Sequence, residues 1–137
     1  MADTVQRVEY FYVQVPNKAG EGLRYLSALS EAGINLLAFS GFPEGRGSQL
    51  DFVPADPTAF HGFAKRSKWK ITGPKRAFLL SGDDRVGLVA DIHKKLADAR
   101  INVTAIDAAC AGAGRYGAIL WVAARDYKKA ATLLGAV

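Results

Sequence analysis

One pattern occurs twice in this chain: Asn17–Phe39 reads NKAGEGLRYLSALSEAGINLLAF, and Asp84–Ile106 reads DRVGLVADIHKKLADARINVTAI. A shift of 67 residues lays Gly20 on Gly87, Leu29 on Leu96, Ala32 on Ala99 and Ile34-Asn35 on Ile101-Asn102. After a gap of three in the following loop, Asp56-Pro57 falls on Asp126-Tyr127. A repeat of this length is the mark of one structural unit used twice.

Inside the repeat, Gly22, Tyr25, Leu26, Leu29 and Ala32 share their spacing with Val89, Ile92, His93, Leu96 and Ala99. That spacing is one face of an α-helix, which should lie on a sheet. Outward from each helix the pattern continues in parallel. Phe11–Val15 and Ala77–Ser81 precede it as β-rich runs ending in turn residues,. Ile34–Phe42 and Ile101–Ala109 come after it, then a glycine-bearing hairpin, then Gln49–Val53 and Gly117–Ala123, all suited to strands,. A second helix is predicted after Asp56 and near Asp126, short acids that can cap its first amides. The first copy closes with Trp69-Lys-Ile71 as a fourth strand, whereas the second ends at Val137 before any such strand.

These orders predict an α+β fold of two ferredoxin-like βαββαβ units in tandem, residues 1–72 and 73–137, with antiparallel sheets and helices on one face. The second unit lacks its final strand, so the edge of Ala77–Ser81 needs a cover. The candidates are Lys68–Thr72, the N-terminal segment or a second chain.

The hairpin of the second copy, Gly112-Ala-Gly114-Arg-Tyr-Gly117, matches the dinucleotide-binding spacing G-x-G-x-x-G. That signature requires a helix after the glycines, because the helix start holds the pyrophosphate. Here the apolar run AILWVAA comes next, and the first copy has its own glycine-rich turn at Pro43–Ser48. Both are read as hairpins.

With 137 residues, half of them apolar, the chain is long enough for one domain or two very small ones,. No apolar run is long enough to span a bilayer and the N-terminus has no signal-peptide character, which points to the cytoplasm and away from membranes. Cys110 is the only cysteine, so neither an internal disulfide nor a cysteine zinc site is expected; it reads as a small apolar filler,. No metal, cofactor or catalytic set is predicted: no carboxylate pair, nucleophile with base or metal-spaced ligand group recurs. The net charge of +5 lies wholly in the second half, and Lys65–Arg76 holds six basic residues and no acid. That segment supports an alternative role as a nucleic-acid or protein-interaction module, with Trp69 stacking on a base. A single aromatic and the absence of an aromatic RNA-binding pattern disfavour nucleic acid, and a solvated linker and edge strand is the simpler reading.

The candidate site lies where each first strand turns into its helix: Asn17-Lys18-Ala19-Gly20 and Asp84-Arg85-Val86-Gly87. Free amides at a helix start accept anions, and a small residue lets a ligand approach the backbone. Asn35 and Asn102 begin the second strand, where Asn is disfavoured; they are either ligand contacts or residues closing the helix. His93, on the helix face, is either a ligand contact or a satisfied core histidine. His61 falls on a solvated or half-buried face.

VPNKAG with EAGINLLAF, and GDDRVG with DARINVTAI, resemble the ACT domain, the small ligand-binding regulatory unit attached to phosphoglycerate dehydrogenase, aspartokinase and other enzymes of amino-acid metabolism. The resemblance covers nearly the whole chain as two copies with no catalytic domain. It implies an amino acid bound between two units, by the Asn-x-x-Gly loop of one and the Asn-bearing strand of the other. By position these are Asn17, Gly20 and Asn35 in the first copy and Asp84, Gly87 and Asn102 in the second, with Lys18, Ala19, Arg85 and Val86 completing the loops. Asp84 in place of Asn favours an ammonium or basic ligand, and Ala19 and Val86 stand where the family often has proline. The resemblance further implies a non-catalytic regulator that forms a homodimer and acts on a partner enzyme.

Overall fold

Strands and helices make up most of residues 3–137, the part of the chain described by the computed structural model. The elements are β1 Thr4–Pro16, α1 Glu21–Glu31, β2 Leu36–Glu44, β3 Gly47–Pro54, α2 Pro57–Arg66, β4 Thr72–Asp83, α3 Leu88–Asp98, β5 Val103–Gly112, β6 Arg115–Val122 and α4 Tyr127–Leu134. A 3₁₀ turn at Ala124–Asp126 leads into α4. The chain divides into two compact units, Glu9–Lys75 and Arg76–Val137, the latter together with the stretch up to Val8. The sequence places the division between residues 72 and 73 and assigns the N-terminus to the first unit; the contacts group these residues differently.

In the amino-terminal unit β3 lies between β1 and β2, antiparallel to both, with Phe11 opposite Phe52 and Phe39 opposite Phe52 on the other side. Alternation along β1 sends Phe11, Val13 and Val15 to one face,. There they meet Tyr25 and Leu29 of α1 and Phe60 and Ala64 of α2, so both helices cover the same face. Aromatic rings fill this core: Phe11 stacks on Phe60 at 4.9 Å, and Tyr25 meets the edge of Trp69 at 4.7 Å. Asp56 caps α2, its carboxylate accepting from the Ala59 amide at 3.1 Å,. The last strand begins at Thr72; Trp69-Lys70-Ile71, expected as a strand, is irregular. The half-buried Trp69 ring packs against the core instead, edge-on to Phe63 as well as Tyr25. Gly73 brings the following strand against Tyr10 and Phe11, too close for any side chain at that position.

The carboxy-terminal unit repeats the plan. β6 lies between β4 and β5, antiparallel to both. Phe78 and Leu80 of β4 and Ala118, Leu120 and Val122 of β6 form the floor on which Leu88, Ile92 and Leu96 of α3 and Tyr127, Ala130 and Ala131 of α4 pack. The Tyr127 ring stacks on Phe78 at 4.4 Å while its hydroxyl donates to the Ala77 carbonyl at 2.9 Å. Asp126 makes no capping bond to α4, in contrast to Asp56. The place of the final strand is taken by the N-terminal segment: β1 neighbours β4, Val5 joins this core, and the Arg7 amide and Val137 carbonyl bond at 2.9 Å. Val89, expected on the buried stripe of α3, is exposed, and Leu88 takes its place in the core. The glycine-rich turns are hairpins: Gly45 joins β2 to β3, and Gly112 to Gly114 join β5 to β6. Among the described residues no helix is long and apolar enough to cross a membrane.

Candidate functional site

Each β-strand-to-helix loop ends on a glycine in the left-handed region, Gly20 at φ +90° and Gly87 at φ +82°, and each glycine is the N-cap of its helix. A glycine cap carries no side-chain acceptor; the Glu21 and Leu88 amides donate back to the Lys18 and Arg85 carbonyls at 3.5 and 3.4 Å, and the next amides of each first turn have no side-chain cap,. Neither glycine has any atom within 4 Å of where a Cβ would stand, so the loop surface is open. Asn17, Lys18, Ala19 and Gly20 are all exposed, as are Asp84, Arg85, Val86 and Gly87.

The side chains around the two loops differ. Asn17 Oδ1 accepts from the Ser48 hydroxyl at 3.2 Å, tying the first loop to its hairpin. A 440 Å³ cleft opens beside it, lined by Gln14, Val15, Pro16, Glu44, Gly45, Gly47 and Ser48. Glu21 occupies the first position of α1 and pairs with Arg24 at 2.9 Å and Lys18 at 3.9 Å. In the second loop the Asp84 amide donates to the Gly114 carbonyl at 2.8 Å, and Arg85 pairs with Asp91 at 2.6 Å. The Asp84 carboxylate also accepts from the Cys110 thiol, and this bond with the nearby charge raises the thiol pKa. Cys110 is exposed, not the buried filler its size suggests. It is held as a thiol, which opposes a nucleophilic role.

Asn35 and Asn102 sit elsewhere. Both are exposed and stand one residue before β2 and β5 rather than inside them. The Asn35 carbonyl accepts from the Ala55 amide, just past the far end of β3, whereas Asn17 bonds Ser48 near its start. With strands rising about 3.3 Å per residue, roughly 23 Å of β3 lies between those two ends. The second unit repeats the separation: Asp84 lies by Gly114 and Asn102 by the Val103–Val122 pair. Within one unit, therefore, the loop and the Asn do not share a ligand.

Asn102 does line a 340 Å³ cleft with His93, Ala97, Ile101, Val103, Ala105 and Ile106. His93 is half-buried, and its Nδ1 donates to the Val89 carbonyl at 3.0 Å, leaving Nε2 as the only ring nitrogen available to a ligand,. His61 is exposed and stacks on Phe11 at 5.7 Å. Ser48 and Tyr116 are site-lining residues absent from the sequence-based prediction. They occupy matching ladder positions, opposite Val15 and Gly82 respectively, and only the strand register reveals that equivalence.

No protein-family model and no curated protein matches the chain. Solved structures do. The protein BT0572 from Bacteroides thetaiotaomicron superposes with a TM-score of 0.79 at 16% identity, over 97% of this chain and 88% of that one. Aspartokinase alpha and beta subunits give 0.67 at 18% identity, over 98% and 95%. The regulatory subunit of aspartate kinase from Thermus thermophilus, in its ligand-free form, gives 0.62 at 14% identity, over 98% and 95%. The fold is α+β and is shared with these structures, a regulatory subunit of aspartate kinase among them.

Proposed function

We propose that this chain is a non-catalytic regulatory protein that binds an amino acid and passes the binding event to a partner enzyme. The observation that carries this reading is the duplication of one open loop. In both units an Asn or Asp leaves the first strand and a left-handed glycine starts the helix with no side-chain cap on its first turn. Such a loop accepts a carboxylate on backbone N–H groups, while an Asn side-chain carbonyl accepts from an ammonium. The structural likeness to regulatory subunits of aspartate kinase supports the same reading. The proposed contacts are Asn17, Lys18, Ala19, Gly20 and Asn35, and Asp84, Arg85, Val86, Gly87 and Asn102.

Loop and Asn lie at opposite ends of each unit's sheet, so a ligand touching both takes them from different units, which a homodimer supplies. Any regulatory effect requires the ligand to bind one state of the protein more tightly than another.

A thermal-shift screen against the twenty amino acids at millimolar concentration tests the reading, because a ligand specific for the native state raises Tm by mass action. One or two amino acids should raise Tm, and Asn17→Ala and Asn35→Ala should each remove the shift without lowering the ligand-free Tm by more than a few degrees. A flat response to all twenty defeats the proposal. Binding of single-stranded RNA at low salt would then favour a role for Lys65–Arg76, whose lysines and arginines are exposed,.

A further inference from the structure

The carboxy-terminal unit holds a second cleft, of about 580 Å³, that the sequence does not announce. Its wall is three turns of α3, with Leu88, Asp91, Ile92, Lys95 and Asp98 along one ridge,. Its floor is apolar: Val5, Leu80, Leu88, Ile92 and Leu134. At the end near the start of α3 lies Tyr116. The residue is 4% exposed, and its hydroxyl is buried with no hydrogen-bond partner among the described residues. An unsatisfied buried hydroxyl costs free energy that a ligand can recover.

Room for this ring is built into the ladder. Tyr116 faces Gly82 across the β4–β6 pair, and a Cβ on Gly82 would collide with the Tyr116 ring edge and with the Asp3 carboxylate. The amino-terminal unit has Val15 opposite Ser48 at the same register, with the Ser48 hydroxyl satisfied by Asn17. The Gly82–Tyr116 pair is thus a feature of one copy only.

Charge gives the cleft a direction. Arg85 pairs with Asp91 at 2.6 Å and Lys94 with Asp98 at 2.8 Å, which cancels four of the six charges lining it. The remaining two, Asp3 and Lys95, have no ion-pair partner among the described residues. Asp3 stands beside Tyr116 over Gly82, at the start of the cleft. Lys95 is seven residues beyond Leu88 on α3, about 10 Å along the helix at 1.5 Å per residue. Burial raises the Tyr116 pKa and the Asp3 charge raises it further, while Arg115 and Arg85 oppose this. The phenol stays protonated at neutral pH, able to accept from an ammonium and to donate.

We infer that this cleft binds a small molecule with an ammonium at one end and a carboxylate at the other of an apolar spacer, the ammonium between Asp3 and the Tyr116 hydroxyl and the carboxylate on Lys95. The spacer lies over Leu80, Leu88 and Ile92. The cleft borders the second strand-to-helix loop through Arg85, but the proposed contacts use none of that loop's residues, and the inference does not rest on the α-amino-acid reading.

Calorimetric titration of the full chain with 6-aminohexanoate tests it, against hexanoate, hexylamine and 1,6-hexanediamine. The amino acid should bind about tenfold more tightly than either singly charged analogue, since each charged hydrogen bond contributes on that scale. Tyr116→Phe should weaken it about three- to tenfold. Lys95→Glu, an exposed change that spares the core, should abolish binding of 6-aminohexanoate and create binding of the diamine. Asn17→Ala should change none of these affinities, which separates this site from the loop of the amino-terminal unit. Absence of binding at tens of millimolar, equal affinity for all four probes, or a Lys95→Glu protein that keeps its preference for the amino acid would each overturn the inference.

Discussion

Replacing Gly87 by alanine tests the loop geometry on which the candidate site rests. The left-handed conformation at φ +82° costs an L-residue about 1–2 kcal/mol,. Alanine also restricts the unfolded chain, which offsets about 0.4–1 kcal/mol of that. No atom lies within 4 Å of the added Cβ, so no packing term enters, and the net loss should be about 1 kcal/mol. For a chain of this size that corresponds to roughly 3–5 °C in Tm. Gly20, at φ +90° and equally open, should lose the same amount. Gly47→Ala is the control: its φ is not positive, but its Cβ would overlap the Val15 carbonyl, so it should cost more than either loop variant. Urea unfolding of the three variants, monitored by circular dichroism, reads these differences. An unchanged midpoint for Gly87→Ala would mean that the loop is not left-handed in solution, and a loss above about 3 kcal/mol would mean that something packs on it. Either result removes the open, pre-formed loop from the argument.

The two helix starts that look alike in sequence should respond differently. Asp56→Ala removes a side-chain cap and should cost about 1 kcal/mol, while Asp126→Ala removes none and should change urea stability by a few tenths at most,. Tyr127→Phe should lower stability by about 1–2 kcal/mol, because it leaves the buried Ala77 carbonyl without its donor, a loss visible as a shift in the urea midpoint,. Tyr10 gives an alkaline signature. Burial first, then the Asp51 and Tyr12 charges, push its pKa from 10.0 up to about 12. The native state therefore holds this proton more tightly than the unfolded chain, so stability is unaffected below pH 10 and falls as pH rises from 10 toward 12. Tyr10→Phe should flatten that slope in urea titrations across the range; an unaltered slope would place its cause elsewhere.

The helices were legible because their apolar spacing repeats in two copies and tertiary packing agrees with it at Tyr25, Leu29, Ile92 and Leu96. The hairpin reading of Gly112–Gly117 rested on the apolar, strand-like run immediately after the glycines, and the structure has β6 there. Trp69 misled because aromatic and β-branched residues favour strands on average, whereas this ring anchors a loop to the core,. The owner of the fourth strand of the second unit was not legible, because which segment covers an open edge is a long-range choice with no local pattern. The same holds for Tyr116. Its partner Gly82 is 34 residues away in sequence, and only the ladder register shows that the missing Cβ makes room for the ring.

These long-range differences matter more for function than the repeat does. Duplication gives both units the same scaffold and the same open loop, but the residues set on that scaffold have diverged in chemistry. At the loop, Asn17 is neutral and held by Ser48, while Asp84 is charged and accepts from Cys110. At the helix start, Glu21 places a carboxylate beside the amides of α1, whereas Leu88 turns that position of α3 into the core. At the matched ladder position one unit has Val15 with Ser48 and the other Gly82 with Tyr116. Both helices carry an acid in the first turn, Glu21 paired with Arg24 and Asp91 paired with Arg85, so both loops should bind anions less strongly than their open backbone suggests,. In the second unit Asp84 adds a charge that attracts an ammonium, and Asp3 does the same in the neighbouring cleft. The chemistry of the two copies thus points the carboxy-terminal unit toward ligands with a positive end, and a thermal-shift screen of Asp84→Ala should find any shift given by a basic amino acid lost.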